Sequence, residues 1–88
     1  MQFSQLKTAI TEDLQKQLHE PSFVWDITTM MDVETIYTTQ QELTMKDLEK
    51  IERILKKYHR KIDMIGVNET RHIWIRMVII QDEQKLVE

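Results

Sequence analysis

The apolar residues of this chain keep two different periods, and the switching between them restricts the fold more than any other feature. Phe3, Leu6, Ile10, Leu14 and Leu18 recur at steps of three and four, one stripe along a helix. From Ser22 to Thr39 the pattern becomes alternation in β-branched and aromatic residues. Phe23, Trp25 and Ile27 alternate with Val24, Asp26 and Thr28, and then Val33, Thr35 and Tyr37 with Glu34, Ile36 and Thr38. The helical step returns in Leu48, Ile51, Leu55 and Tyr58, with Ile54 beside them. Alternation resumes from Ile62 to Gln81, as two strands joined through Asn68-Glu69-Thr70. The predicted order is α-β-β-α-β-β. Two packed layers suffice for 88 residues, so the expected fold is an α+β sandwich: up to four mostly antiparallel strands with both helices on one face. Residues 1–81 form the expected domain, and residues 82–88 a polar tail.

Local chemistry sharpens the boundaries. Thr44 with Asp47 three residues later resembles a capping box, and Leu43 and Leu48 flank it as a hydrophobic staple. Glu49–Arg53 and Glu52–Lys56 are spaced for ion pairs, and Lys57, His59, Arg60 and Lys61 suit a helix C-terminus. For the first helix Ser4 is the expected cap and Pro21 the expected stop. The break at Met30-Met31-Asp32 lacks the glycine that tight hairpins prefer. A longer hairpin loop is therefore predicted, with one long bent strand as the alternative.

Composition removes function classes. There is no cysteine, and thus no disulfide, thiol catalysis or Cys-based metal site. One glycine cannot build a phosphate-cradling loop. His19-Glu20 begins like a zinc-protease helix, yet the second histidine is missing and Pro21 interrupts the helix. His19, His59 and His72 lie in separate elements and read as surface or helix-end residues. Asp32 and Glu34 offer a carboxylate pair for a cation, far short of the ligand number calcium takes. Neither Ser4 nor Ser22 sits in a nucleophile elbow. Asn68-Glu69-Thr70 fits a glycosylation acceptor and reads more simply as a turn. The expectation is a protein without catalytic activity and without a cofactor or metal. Met1-Gln2-Phe3-Ser4 lacks the charged lead of a secretory signal, and the longest aliphatic run, Met77 to Ile80, is far too short to span a membrane. The expected location is the cytoplasm, with no membrane partner. Eleven isoleucines against one alanine, one glycine and one proline suggest an AT-rich gene, as in a low-GC bacterium or its phage and mobile elements.

Charge is unevenly spread. Residues 46–76 hold nine Lys/Arg and five Asp/Glu, whereas the rest of the chain holds three and ten, for a net charge of −3. Lys50, Arg53, Lys57, Arg60 and Lys61 are a candidate electrostatic patch, with Arg71 and Arg76 as possible additions. Its competing reading is a solvated helix end. Glu49 and Glu52 interrupt the basic helix face, and no base-reading array of aromatics accompanies it.

In the final strand Ile73, Ile75, Met77 and Ile79 share one side, and Trp74, Arg76, Val78 and Ile80 share the other. If the first set packs beneath the helices, the second faces away from the core on an open sheet face, with Val24 and Ile65 assigned to the same side. Trp and Arg beside aliphatic groups is the composition of interaction hot spots. The competing reading makes Trp74 ordinary core. Met30, Met31 and Met45 read as core fillers more readily than as an adaptable surface. The expected function is a small interaction protein of the regulator or inhibitor type. It would bind a protein partner through Trp74, Arg76, Val78 and Ile80 and self-associate as a homodimer. The alternative is a nucleic-acid-binding regulator using the basic end of the second helix and the last hairpin.

Overall fold

The computed structural model describes residues 2–81; the expected tail, residues 82–88, lies outside them. Its elements are α1 (Phe3–Gln17), β1 (Val24–Met30), β2 (Val33–Thr38), α2 (Met45–Lys56), β3 (Arg60–Val67) and β4 (Ile73–Ile79). The strands form one antiparallel sheet in the order β1-β2-β4-β3. Two αββ units thus lie side by side, although no sequence repeat marks them. Leu6, Ile10 and Leu14 of α1 and Ile51, Ile54 and Leu55 of α2 join Phe23, Ile27, Ile36, Ile73, Ile75 and Met77 in one buried cluster. The predicted α+β order and the packing of both helices against the sheet are therefore observed.

The helix termini differ in how legible they were. At α2 the capping box forms as written: Asp47 N–H donates to Thr44 Oγ1 at 3.1 Å, and Thr44 N–H to Asp47 Oδ2 at 3.2 Å. At α1 the cap is Gln2, not Ser4, and Gln5 Oε1 accepts from Gln2 N–H at 3.2 Å. Ser4 already lies inside the helix. Nor does Pro21 end α1. His19 takes a left-handed φ of 54°, and the N–H groups of His19 and Glu20 turn back to the carbonyls of Lys16 and Gln15. This is a Schellman ending with histidine where glycine is usual.

The β1–β2 connection corrects a second expectation. Met30 pairs with Val33, so only Met31 and Asp32 make the turn, at φ 50° and 67°. That is the left-handed pair of a type I′ turn, the tight form whose twist matches the strands, here built without glycine. A side chain in this region costs conformational energy relative to glycine, more for Met31 than for Asp32 or His19. Asp32→Gly and His19→Gly are each expected to raise the unfolding free energy by about 0.5–1 kcal/mol, read from denaturant midpoints at unchanged m-value.

Ion pairs fasten the layers. Lys7 meets Asp26 at 2.6 Å, tying α1 to β1. Tyr58 Oη donates to Asp13 Oδ2 at 2.5 Å and Lys57 Nζ lies 3.0 Å from the same carboxylate, tying the end of α2 to α1. Those two contacts, the tyrosine hydroxyl foremost, hold Asp13 below the usual carboxylate range. The same bond, with burial, pushes the Tyr58 hydroxyl up to about 12. Since folding favours neutral Tyr58, its contribution is complete below pH 10 and disappears as the pH rises to about 12. Absorbance titration should show one tyrosine ionising near 12, and Asp13→Asn should return it toward 10.

Glu34 is the one acid among the buried residues of the described chain, 8% exposed on the helix side of β2. Arg60 crosses over β4 to reach it, with Nε 2.5 Å from Oε1 and Nη2 3.2 Å from Oε2, while Nη1 donates to Tyr58 O at 2.7 Å. Glu34 therefore serves as an internal anchor for the start of β3 and is not available to pair with Asp32 around a cation.

Candidate functional site: the open sheet face

Register decides which side chains the helices leave uncovered. Antiparallel partners share a side, and Ile36 with Ile75 lies beneath the helices. Their neighbours Thr35 with Arg76 and Tyr37 with Trp74 must then stand on the far side, together with Val33, Thr28, Val78, Lys61, Met64 and Gly66. No element of the described chain packs on this face. Val24 and Ile65 do not belong to it. Val24 pairs with Thr38 and packs against the core, because a bulge at Trp25 shifts the alternation of β1. Ile65 pairs with Ile75 on the helix side, yet stays 43% exposed beside a hollow lined by Leu43, Thr44 and Ile73. Ile79 shares the inner side but, as the last residue of β4, is half exposed.

Trp74 lies flat across the neighbouring strand. Its cross-strand partner is Gly66, the only glycine in the chain. A Cβ at Gly66 would stand 2.6 Å from Trp74 Cε2 and 2.9 Å from Cη2, inside the van der Waals envelope of the indole. The glycine is needed here for close approach, as in the aromatic coverage of sheet glycines. Arg76 is fixed from the same side: Nε donates to Asp63 Oδ2 at 2.9 Å, and Nη2 lies 3.5 Å from Met64 Sδ. Asp63 is the extra residue of a second bulge, which frees its side chain for this contact.

These fixed side chains wall a groove of about 400 Å³, floored by Thr28 and Thr35 and flanked by Met30, Met31, Val33, Tyr37, Trp74 and Arg76. That volume is in the range of small-ligand and side-chain pockets. Beyond Tyr37 a second, more polar hollow of about 260 Å³ runs past Trp25, Thr70 and His72. Trp25 is 73% exposed and meets Tyr37 edge to face, with centroids 6.4 Å apart. Asn68 Oδ1 closes the adjoining turn by accepting from Thr70 and His72, so Asn68-Glu69-Thr70 is a turn as read.

Of the four proposed partner contacts, Trp74 and Arg76 line the groove. Val78 stands farther along the same face opposite Lys61, and Ile80 lies one residue past β4 with its N–H held by His59 O at 2.8 Å. Tyr37, Trp25, Met30 and Met31 were not assigned to this face from sequence. Met30 (75% exposed), Met31 and Met45 are not core fillers. The available signal was a methionine pair at a hairpin tip, where a core filler has nothing to fill.

The five candidate cations do not form one surface. Lys50, Arg53 and Lys57 surround a shallow hollow with Gln17 on the helix layer, and Lys57 is paired with Asp13. Arg60 is withdrawn onto Glu34, and Lys61 stands across the sheet on the open face. Among the described residues no group of three or more His, Asp or Glu is placed to hold a metal ion, and no helix is long and apolar enough to cross a membrane.

No protein-family model, curated protein or solved structure matches this chain.

Proposed function

We propose that this protein is a non-catalytic interaction domain, of the regulator or inhibitor type and at work in the cytoplasm, that docks a protein partner on its open sheet face. One observation carries the reading: an uncovered sheet face with two aromatic side chains, an arginine and two methionines around a groove of about 400 Å³. Trp74 and Arg76 are held in place before any partner arrives, which lowers the entropy lost on binding. A second copy of the chain is the alternative occupant, which sedimentation distinguishes. The dispersed cations support the nucleic-acid alternative less well, since phosphate recognition draws on a contiguous basic surface.

Two variants test the proposal. Trp74→Ser with Arg76→Glu removes the anchor pair, and Met31→Asp places a charge at the groove rim on a residue that is 90% exposed and outside the core. A wild-type chain should either sediment as a dimer at micromolar concentration or retain another protein, and both variants should abolish this at unchanged circular dichroism. A wild-type monomer that binds nothing the variants fail to bind would overturn the reading.

A further inference from the structure

Resting on that docking role, we infer that the occupant of the groove is a segment of a different protein that carries a carboxylate beside an apolar side chain. Charge complementarity points to that occupant. Arg76 is the single charged residue among the groove's lining, and no aspartate or glutamate stands there. The remaining wall is thioether, valine, tyrosine and indole, with two threonine hydroxyls beneath. Such a wall takes an aliphatic or aromatic side chain, and the polar groups fix its orientation.

Arg76 is arranged to receive an acid. Asp63 engages Nε and Met64 Sδ lies 3.5 Å from Nη2, while Nη1 and the second N–H of Nη2 have no partner among the described residues. Two parallel donors at that end match a carboxylate, and a charge-assisted pair is stronger than a neutral one. Asp63 is thus a positioning residue for the fork. Lys61, two residues before Asp63 on β3 and opposite Val78, adds a second cation to the same face. A second copy is a poor complement, since its groove lining holds the same cation and no acid, and its Asp63 is already engaged by its own Arg76. A basic segment would meet Arg76 and Lys61 as like charges.

The test uses a random-peptide phage library selected against the whole chain, followed by synthesis of each selected peptide and its Glu→Gln or Asp→Asn twin. Selected peptides should carry an acid next to Leu, Ile, Phe or Trp. The amide twin should bind about ten-fold more weakly, and Arg76→Gln should erase that difference while leaving the weaker, apolar part of the affinity. If Arg76→Gln is unstable, Arg76→Lys serves instead: it keeps the charge, loses the fork, and should retain only part of the discrimination. Uncharged or basic selected peptides, or twins that bind alike, would overturn the inference. So would a discrimination that survives in Arg76→Gln. In each case the docking role stands if Met31→Asp still abolishes binding. A wild-type dimer that shields Trp74 likewise overturns the acidic partner and keeps the docking role. Failure to select any peptide sensitive to Met31→Asp sinks both.

Discussion

Replacing Glu34 by alanine is expected to destabilise the fold by about 3–5 kcal/mol, because it strands the charge of Arg60. The two side chains are only 11% and 15% exposed, so water cannot take over as the arginine's partner. A domain of this size holds roughly 5–10 kcal/mol in all, and much of the variant population should be unfolded at 37 °C. The same pair replaced together, Glu34→Met with Arg60→Met, should be far milder. Removing both charges also removes their desolvation, and two thioethers suit a site beside Met77 and Ile79. Denaturant titration of the two single variants and the double one measures this directly. A Glu34→Ala loss below about 1 kcal/mol would mean that the pair behaves like an exposed ion pair and anchors nothing.

Gly66→Val should be the second most disruptive change, although valine is the better strand former. Its Cβ falls within the indole of Trp74, which lies across β3 at this point. Either β3 shifts or Trp74 is expelled, at a cost of about 1–3 kcal/mol, as for overpacked sites in general. Trp74 should then move from a half-covered to a solvated environment, and its fluorescence should shift to the red. Because Trp74 lines the groove, partner binding should fail in the same variant. Gly66→Val combined with Trp74→Ser tests the cause, since it should restore most of the stability without restoring binding. If Gly66→Val alone keeps native fluorescence, the close approach is not what the glycine serves.

Legibility in the sequence followed the range of the interactions. The stripe of α2 and its capping box depend on neighbours three and four residues apart, and Thr44, Asp47, Ile51 and Leu55 reveal them directly. The alternation of β4 is equally local, so the opposite sides taken by Trp74 and Ile75 were readable. The ending of α1 was not. Pro21 is a strong stop, but the chain turned earlier at His19, whose side-chain preference for the left-handed region is too weak to mark the position. The same holds at Met31, where strand pairing imposed a left-handed turn position that its side chain does not favour, although Asp32 beside it is a residue such turns accept. Bulges displaced Val24 and Asp63 from their simple alternation. A bulge is decided by how two strands fit, and one strand's sequence does not report it.

The candidate site divides in the same way. Trp74 and Arg76 were visible as outward positions of a single strand. Tyr37, Met30 and Met31 entered only when β2 came to lie beside β4, because sheet order joins residues about forty positions apart that no local pattern relates. Likewise, the five cations near the end of α2 looked like one patch, and it was distant acids, Asp13 and Glu34, that claimed two of them. By itself the sequence determined the elements, their order and the two-layer class, since periodicity and capping act within a few residues. Tertiary structure alone decided strand order, the bulges, the partners of the charges and the walls of the groove, since each depends on segments meeting that are far apart along the chain.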